Sequence, residues 1–211
     1  QPVVTLEERE YPNYFHRIVA DPDAADTETA DSSVTDVEPV SSPVEKEPEL
    51  KEHHLTFMEN QRGVSYETLF GQYLKDAKHI TITDPYIRLY YQARNLMEFM
   101  EVIVREKSEE DEVVVSLITV EDEFKGDQQR DYFSEIQNSM LTAGIKFSWS
   151  FDNSGTQHAR HILTDTGWKI SLDRGLDIFQ QYDMNDTFQL NNRNQKHRAC
   201  KAFEITFIKQ G

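Results

Sequence analysis

The sequence predicts an α/β domain in which a mixed β-sheet is flanked by helices. Segments with helical periodicity alternate with short runs rich in β-branched residues, in the order β-α-β-α-β. Two strands joined by a tight turn and one final strand then follow. This order indicates a layered α/β domain with a mixed sheet.

Each element has a local signal in the sequence. Ser65 is positioned to cap a first helix, the strand "HITITDPYI" ends at the breaker Asp84-Pro85, and Gly144 ends a third helix. The predicted elements are, in order, the Ser65-capped helix, a strand at 79–87, a helix from about 88 to 107, a strand at 112–120, the helix before Gly144, and strands at 145–151, 159–164, 168–172 and 199–208.

Charge and composition divide the chain of 211 residues into three parts. Of the net charge of −16, residues 1–60 contribute 15 acidic and 4 basic side chains (−11), and residues 61–211 contribute 23 and 18 (−5). Residues 21–52 are rich in Asp, Glu, Ser, Thr and Pro, without an aromatic residue, which predicts an acidic disordered linker. Residues 1–20 are interpreted as the tail of an upstream region or a docking segment, and residues 53–211 as the folded domain.

Composition also excludes several classes of protein. A mildly acidic domain lacks the basic stripe of a duplex-binding protein, so duplex nucleic acid is not expected as a partner. A single cysteine, Cys200, excludes an internal disulfide and indicates a reducing, cytoplasmic location. No apolar run approaches the roughly 18 residues of a membrane span. We predict no metal site and no cofactor, since His53 and His54 have no Cys or His partner nearby.

Two segments are more particular than a generic α/β domain: "GVSYETLFGQYLKDAKHITITDPYIR" (63–88) and "HARHILTDTGWKISLDRGLDIFQ" (158–180). Both resemble the phospholipase-D-like domain at the C-terminus of MIT-domain proteins. The resemblance identifies the chain as a bacterial member fused to a Lon-like ATPase or protease protein associated with phage defence. No MIT helical bundle is visible in the chain, so the ESCRT-III tails that the eukaryotic proteins bind are not carried over as a partner.

The resemblance implies kinship with phospholipase D, whose active site uses the motif H-x-K-x4-D. His158, Arg160 and Asp165 have that spacing, with arginine in place of lysine. In the enzymes the histidine attacks phosphorus and the lysine holds phosphate oxygens. An arginine still binds phosphate, but with a different geometry. The chemistry needs two such motifs and this chain has one, so catalysis would require a homodimer.

The eukaryotic relatives are regarded as non-catalytic. We therefore predict an interaction domain that forms a homodimer and binds a protein partner or an anionic phospholipid head group, and we name no catalytic residue. The alternative is a phosphodiesterase of the phospholipase-D kind, assembled across a homodimer from His158, Arg160 and Asp165.

Further candidate anion ligands lie at turns near this motif. Arg88 follows the strand end at Asp84, where ligands of α/β sheets usually bind; the structural alternative is that Asp84 caps the next helix and Arg88 pairs with an acid. Arg174 precedes Gly175, which is expected to supply an unusual backbone turn. Arg174 either joins the anion site or forms an ion pair with Asp177.

A basic segment near the C-terminus, "NNRNQKHRACK" (191–201), supplies the last candidates, Arg193, Lys196 and Arg198. It is either a solvated loop or a surface for phospholipid head groups or an acidic peptide. Cys200 lies within it and is interpreted as a buried structural thiol.

Overall fold

The computed structural model describes residues 50–152, 154 and 159–211. The predicted upstream segment 1–20 and residues 21–49 of the predicted linker lie outside this part of the chain. The described elements are β1 (His53–Phe57), α1 (Tyr66–Leu74), β2 (His79–Thr83), α2 (Tyr90–Glu106), β3 (Val113–Thr119), α3 (Gly126–Leu141), β4 (Ile145–Phe151), β5 (His161–Thr164), β6 (Trp168–Leu172), α4 (Leu190–Arg193), a 3-10 turn (Gln195–His197) and β7 (Phe203–Lys209).

The strands form one seven-stranded sheet in the order β1-β7-β6-β5-β2-β3-β4. Strands β2, β3 and β4 are parallel and are connected through α2 and α3. The remaining neighbours, from β2 through β5, β6 and β7 to β1, are antiparallel. The prediction of a mixed α/β sheet is confirmed. β1 was not among the predicted strands, and it lies at the sheet edge beside β7.

Helices α1, α2 and α3 cover one face of the sheet. Phe99 of α2 packs edge-on against Phe70 of α1, with ring centroids 5.3 Å apart, and Phe133 of α3 lies 6.4 Å from Phe147 of β4. Tyr73 of α1 stacks on Phe207 at 4.4 Å. These rings belong to a continuous apolar core, whose burial from water is the main stabilising term of the fold.

The local signals explain most element boundaries. Ser65 Oγ accepts a hydrogen bond from Thr68 N (3.2 Å), as expected of a helix cap. Gly167 adopts φ +85° in the turn between β5 and β6, a conformation that favours glycine. Helix α2 begins two residues later than predicted, and Asp84 does not cap it. Instead, Gln92 Oε1 accepts from Leu89 N at 2.9 Å.

Leu50, the first described residue, lies three residues before the predicted domain boundary at residue 53. Leu50 packs against the core, and Glu52 Oε1 accepts a hydrogen bond from Lys209 N at 2.8 Å. Within the described residues, no helix is long and apolar enough to cross a membrane.

Candidate functional site

A cleft of about 140 Å³ opens at one end of the sheet, where β2 and β6 end and β5 begins. Thr83 pairs with His161, so the next residue of β2, Asp84, lies beside the residue preceding β5, Arg160. β6 runs antiparallel to β5, and the turn that follows it brings Arg174 to the same place. The strand order thus places three residues of distant sequence position around one small cavity.

Arg160 lies across the mouth of this cleft. Its guanidinium carbon is 4.1 Å from the centroid of the Tyr86 ring, and Nη1 donates a hydrogen bond to the carbonyl oxygen of Asp173. Nε lies 3.9 Å from Asp84 Oδ1. That Nε is buried and has no hydrogen-bond partner among the described residues. A buried donor without a partner is unfavourable, so this Nε is a weak point of the local packing.

Asp84 forms the floor of the cleft and is 4% exposed. Oδ1 accepts a hydrogen bond from Tyr86 N at 3.0 Å. Burial raises the pKa of this carboxyl, and the backbone donors of Tyr86 and Leu176 and the charge of Arg160 oppose that rise only in part. The carboxyl is therefore structural, because it holds two backbone segments together beneath the cleft.

Gly175 is the residue that allows this close approach. Its φ is +60°, and a Cβ built on it would lie 1.9 Å from Asp84 Oδ2. The unusual turn predicted at Gly175 is confirmed, and its physical reason is the carboxylate of Asp84 packed against the glycine backbone.

The ion pair considered between Arg174 and Asp177 does not form. Arg174 Nε donates to the carbonyl oxygen of Ala202 at 2.6 Å, and Asp177 pairs with Lys201 at 2.8 Å. Within the described part of the chain, the terminal nitrogens of Arg174 make no hydrogen bond, and the side chain lines the cleft. The turn leaves the terminal guanidinium donors of Arg174 available.

Asn95 of α2 completes the cleft and was not predicted. It is 4% exposed, lines the cavity, and its side-chain amide makes no hydrogen bond to any described residue. A buried amide without a protein partner indicates room for a ligand or water. The sequence does carry a signal for it, since Asn95 lies four residues before Phe99 on the inward apolar face of the helix.

The three residues of the H-x-R-x4-D spacing are not all brought to this cleft. His158 lies outside the described residues. Asp165 follows the far end of β5, about 16 Å along an extended strand from Arg160. There it accepts hydrogen bonds from Lys78 N (3.0 Å) and from His79 Nδ1 (3.2 Å). The aspartate therefore joins two strand ends and lies away from the cavity.

Arg88 lies beside the cleft without lining it. Nε donates to the carbonyl oxygen of Pro85 at 3.0 Å, and its guanidinium carbon is 5.8 Å from the Tyr86 ring centroid. Tyr86 is 41% exposed and contacts both Arg88 and Arg160. A cationic rim thus surrounds one tyrosine at the cleft entrance.

The basic segment 191–201 is partly buried, which corrects one prediction. Arg198 is 3% exposed and binds the Glu98 carboxylate through both terminal nitrogens. It is therefore unavailable to an external anion, because its charge is already compensated. Arg193 and Lys196 remain exposed, and they line a separate groove along α2. Cys200 is buried, and burial raises the pKa of its thiol.

Residues that could hold a metal ion are not gathered anywhere in the described ranges: no group of three or more His, Cys, Asp or Glu side chains is found there. His53 instead stacks on Phe207, with ring centroids 4.5 Å apart. His54 Nδ1 shares a hydrogen bond with Thr206 Oγ1 at 2.8 Å. Both histidines have structural contacts at the sheet edge.

Comparison with known proteins places the chain in a family. The family model described as "Phospholipase D-like domain at C-terminus of MIT" matches residues 63–209. The mouse protein named "MIT domain-containing protein 1" is 32% identical over 139 residues. That alignment covers 65% of this chain and 54% of the mouse protein, so the chain spans about half the length of that relative.

Proposed function

Because the chain belongs to the family of phospholipase-D-like domains found at the C-terminus of MIT proteins, we propose that it is a non-catalytic interaction domain that binds a phosphate group in the cleft of Arg160 and Arg174. The observation that supports the proposal is the convergence of unused donors there. They are the terminal nitrogens of Arg174 and the amide of Asn95, and the side chain of Arg160 lines the same cavity.

The donors suit a tetrahedral oxyanion. Charge-assisted hydrogen bonds from guanidinium groups are stronger than neutral ones, and Arg presents a planar fork that matches phosphate oxygens. A cavity of about 140 Å³ has room for several waters. A phosphate would replace those waters and supply acceptors to groups that lack them.

The same geometry argues against turnover. Arg160 is committed to the carbonyl of Asp173 and to the Tyr86 ring, whereas the lysine of the enzymes acts as a mobile point charge.

Binding and turnover are tested on the same purified chain. Calorimetric titration with inorganic phosphate and with glycerophosphate should give saturable heats. Arg174→Gln should weaken binding by roughly 5- to 100-fold, the range for one lost charge-assisted contact. Lys146→Gln, which removes an exposed charge at the β4 edge of the sheet, is the matched control and should change affinity less than about twofold.

Bis-p-nitrophenyl phosphate tests the enzymatic alternative. We expect no hydrolysis, and His158→Ala should therefore change nothing in that assay. Hydrolysis that survives purification and disappears with His158→Ala would show a phosphodiesterase instead, since His158 is the only nucleophile that the motif supplies.

We also propose that the chain forms a homodimer and acts as a targeting appendage of a larger ATPase or protease protein. The dimer is motivated by the single H-x-R motif in a fold that works in pairs. Sedimentation at micromolar concentration tests the homodimer, and a strictly monomeric species would contradict it. The sequence of the gene upstream of residue 1 tests the appendage.

A further inference from the structure

A second surface, separate from the cleft, lies along the solvent side of α2. A groove of about 520 Å³ runs between this helix, the start of α1 and the segment 192–198. Its helical wall extends from Tyr90 to Arg105, which at 1.5 Å per residue is about 22 Å long. That length suits roughly six or seven residues of an extended peptide.

A partly buried polar network centred on Glu98 connects the two walls of the groove. Its carboxylate accepts hydrogen bonds from both terminal nitrogens of Arg198 and from Gln195 Nε2 (2.8 Å), and it lies 3.5 Å from Arg94 Nε. Arg94 in turn donates to Met184 O (3.2 Å) and Asn192 Oδ1 (3.3 Å). The wall formed by segment 192–198 is therefore fixed before any partner arrives, which lowers the entropy cost of binding.

The cationic side chains that are not paired with Glu98 indicate which kind of partner the groove would bind. Five cationic side chains line the groove against three carboxylates, a local balance of +2 in a chain of net charge −16. Arg94 and Arg198 are committed to Glu98. Lys196 and Arg105 have no side-chain hydrogen bond or ion pair to any residue the structure describes. Arg193 uses only Nε, towards Thr187 O at 3.3 Å.

We infer that this groove, hereafter the α2 groove, is a docking site for an acidic peptide segment of another protein. Carboxylates of the peptide would meet Arg105, Arg193 and Lys196, and an apolar side chain would lie on Met97 between them. Complementary charge of this kind selects the partner and accelerates its association. The concave shape favours a peptide over a flat membrane surface.

Fluorescence anisotropy tests the inference with a short fluorescein-labelled peptide of glutamates interrupted by leucines. The wild-type chain should bind it, more weakly as salt rises. The double variant Arg193→Glu/Lys196→Glu should bind at least about tenfold more weakly. The double variant Lys146→Glu/Lys169→Glu changes net charge equally on the opposite face of the sheet, and should stay within about twofold of wild type.

Several outcomes would overturn the inference. They are no binding by wild type, equal loss in the two double variants, and equal binding of the same peptide with glutamine in place of glutamate. Thermal unfolding of both double variants checks that they fold, and Arg193→Gln/Lys196→Gln should give a smaller loss in the same direction.

Vesicles of phosphatidylserine in phosphatidylcholine form a second arm of the experiment. Binding to vesicles but not to the peptide would assign the α2 groove to membranes instead. Arg174→Gln should leave peptide binding unchanged, so this test is independent of the phosphate cleft.

Discussion

Arg198 lies beside the partly buried carboxylate of Glu98 and Arg160 beside the buried carboxylate of Asp84, but the two pairs are built differently. Arg198 binds Glu98 through two terminal nitrogens, and its Nε donates to Asn191 O at 2.6 Å. Arg160 approaches Asp84 no closer than 3.9 Å and keeps an unpartnered Nε. The first pair satisfies its own hydrogen-bonding groups, whereas the second leaves the Nε of Arg160 buried without a partner.

The pKa values of the two carboxyls express this difference. Burial alone raises the pKa of Glu98, but the hydrogen bonds and charge of Arg198 outweigh burial, and the pKa is lowered. Burial also raises the pKa of Asp84, and there the more distant arginine does not overcome it. Direct contact with a guanidinium therefore decides whether a buried carboxyl is stabilised in its charged form. Incomplete pairing thus distinguishes the Arg160 side chain, which keeps an unpartnered donor, from Arg198, whose donors are paired.

The largest expected effect is on the complete pair. Glu98→Ala leaves the Arg198 charge buried without its partner, which should lower the free energy of unfolding by about 3–5 kcal/mol. Asp84→Ala should cost less, about 1–3 kcal/mol, because Arg160 is partly exposed to water. Urea unfolding measures both, with the exposed Glu101→Ala as control, expected within about 0.5 kcal/mol of wild type. A larger loss for Asp84→Ala than for Glu98→Ala would contradict the comparison.

The next effect concerns the backbone that closes over Asp84. Gly175→Ala should destabilise the chain by about 3 kcal/mol or more, because the φ of +60° is strained for alanine and its Cβ would collide with Asp84. Gly63 is the matched control, with φ +86° and nothing within 4 Å of a Cβ. Gly63→Ala should cost only about 1 kcal/mol. Equal losses in thermal or urea unfolding would mean that the contact with Asp84 contributes nothing.

Much of the fold could be predicted from local pattern, but the two pairs could not. Cap, turn and periodicity are encoded within a few residues, as at Ser65 and Gly167, and those elements are confirmed. The partner of Arg198 lies 100 residues away at Glu98, so a local reading of the basic segment assigned Arg198 to the surface. Asn95 was missed because its neighbours on the helix are apolar and its significance depends on β2 and β5 reaching the same place.

The contributions of Glu98 and Asp84 to stability should depend on pH in opposite directions. The folded pKa of Glu98 lies below its usual value of 4.5, so the stability of wild type relative to Glu98→Gln is present above pH 4.5 and is lost as pH falls through the folded pKa. The folded pKa of Asp84 lies above 3.8. Its ionisation is therefore unfavourable, and wild type should lose stability relative to Asp84→Asn as pH rises through that pKa. Thermal unfolding between about pH 3 and pH 7 measures both slopes; slopes of the same sign would refute this account.

The smallest effect is expected at the other end of β5. Asp165 accepts from Lys78 N and His79 Nδ1 and is exposed, so Asp165→Asn should lower the free energy of unfolding by about 1 kcal/mol or less. Because it lies about 16 Å along the strand from Arg160, the same variant should leave phosphate affinity within about twofold of wild type, whereas Arg174→Gln should not. Calorimetric titration of the two variants separates the roles. The contrary result is that Asp165→Asn lowers phosphate affinity as much as Arg174→Gln does. That result would mean that Asp165 acts together with Arg160, as in an H-x-K-x4-D motif, although the two residues lie at opposite ends of β5.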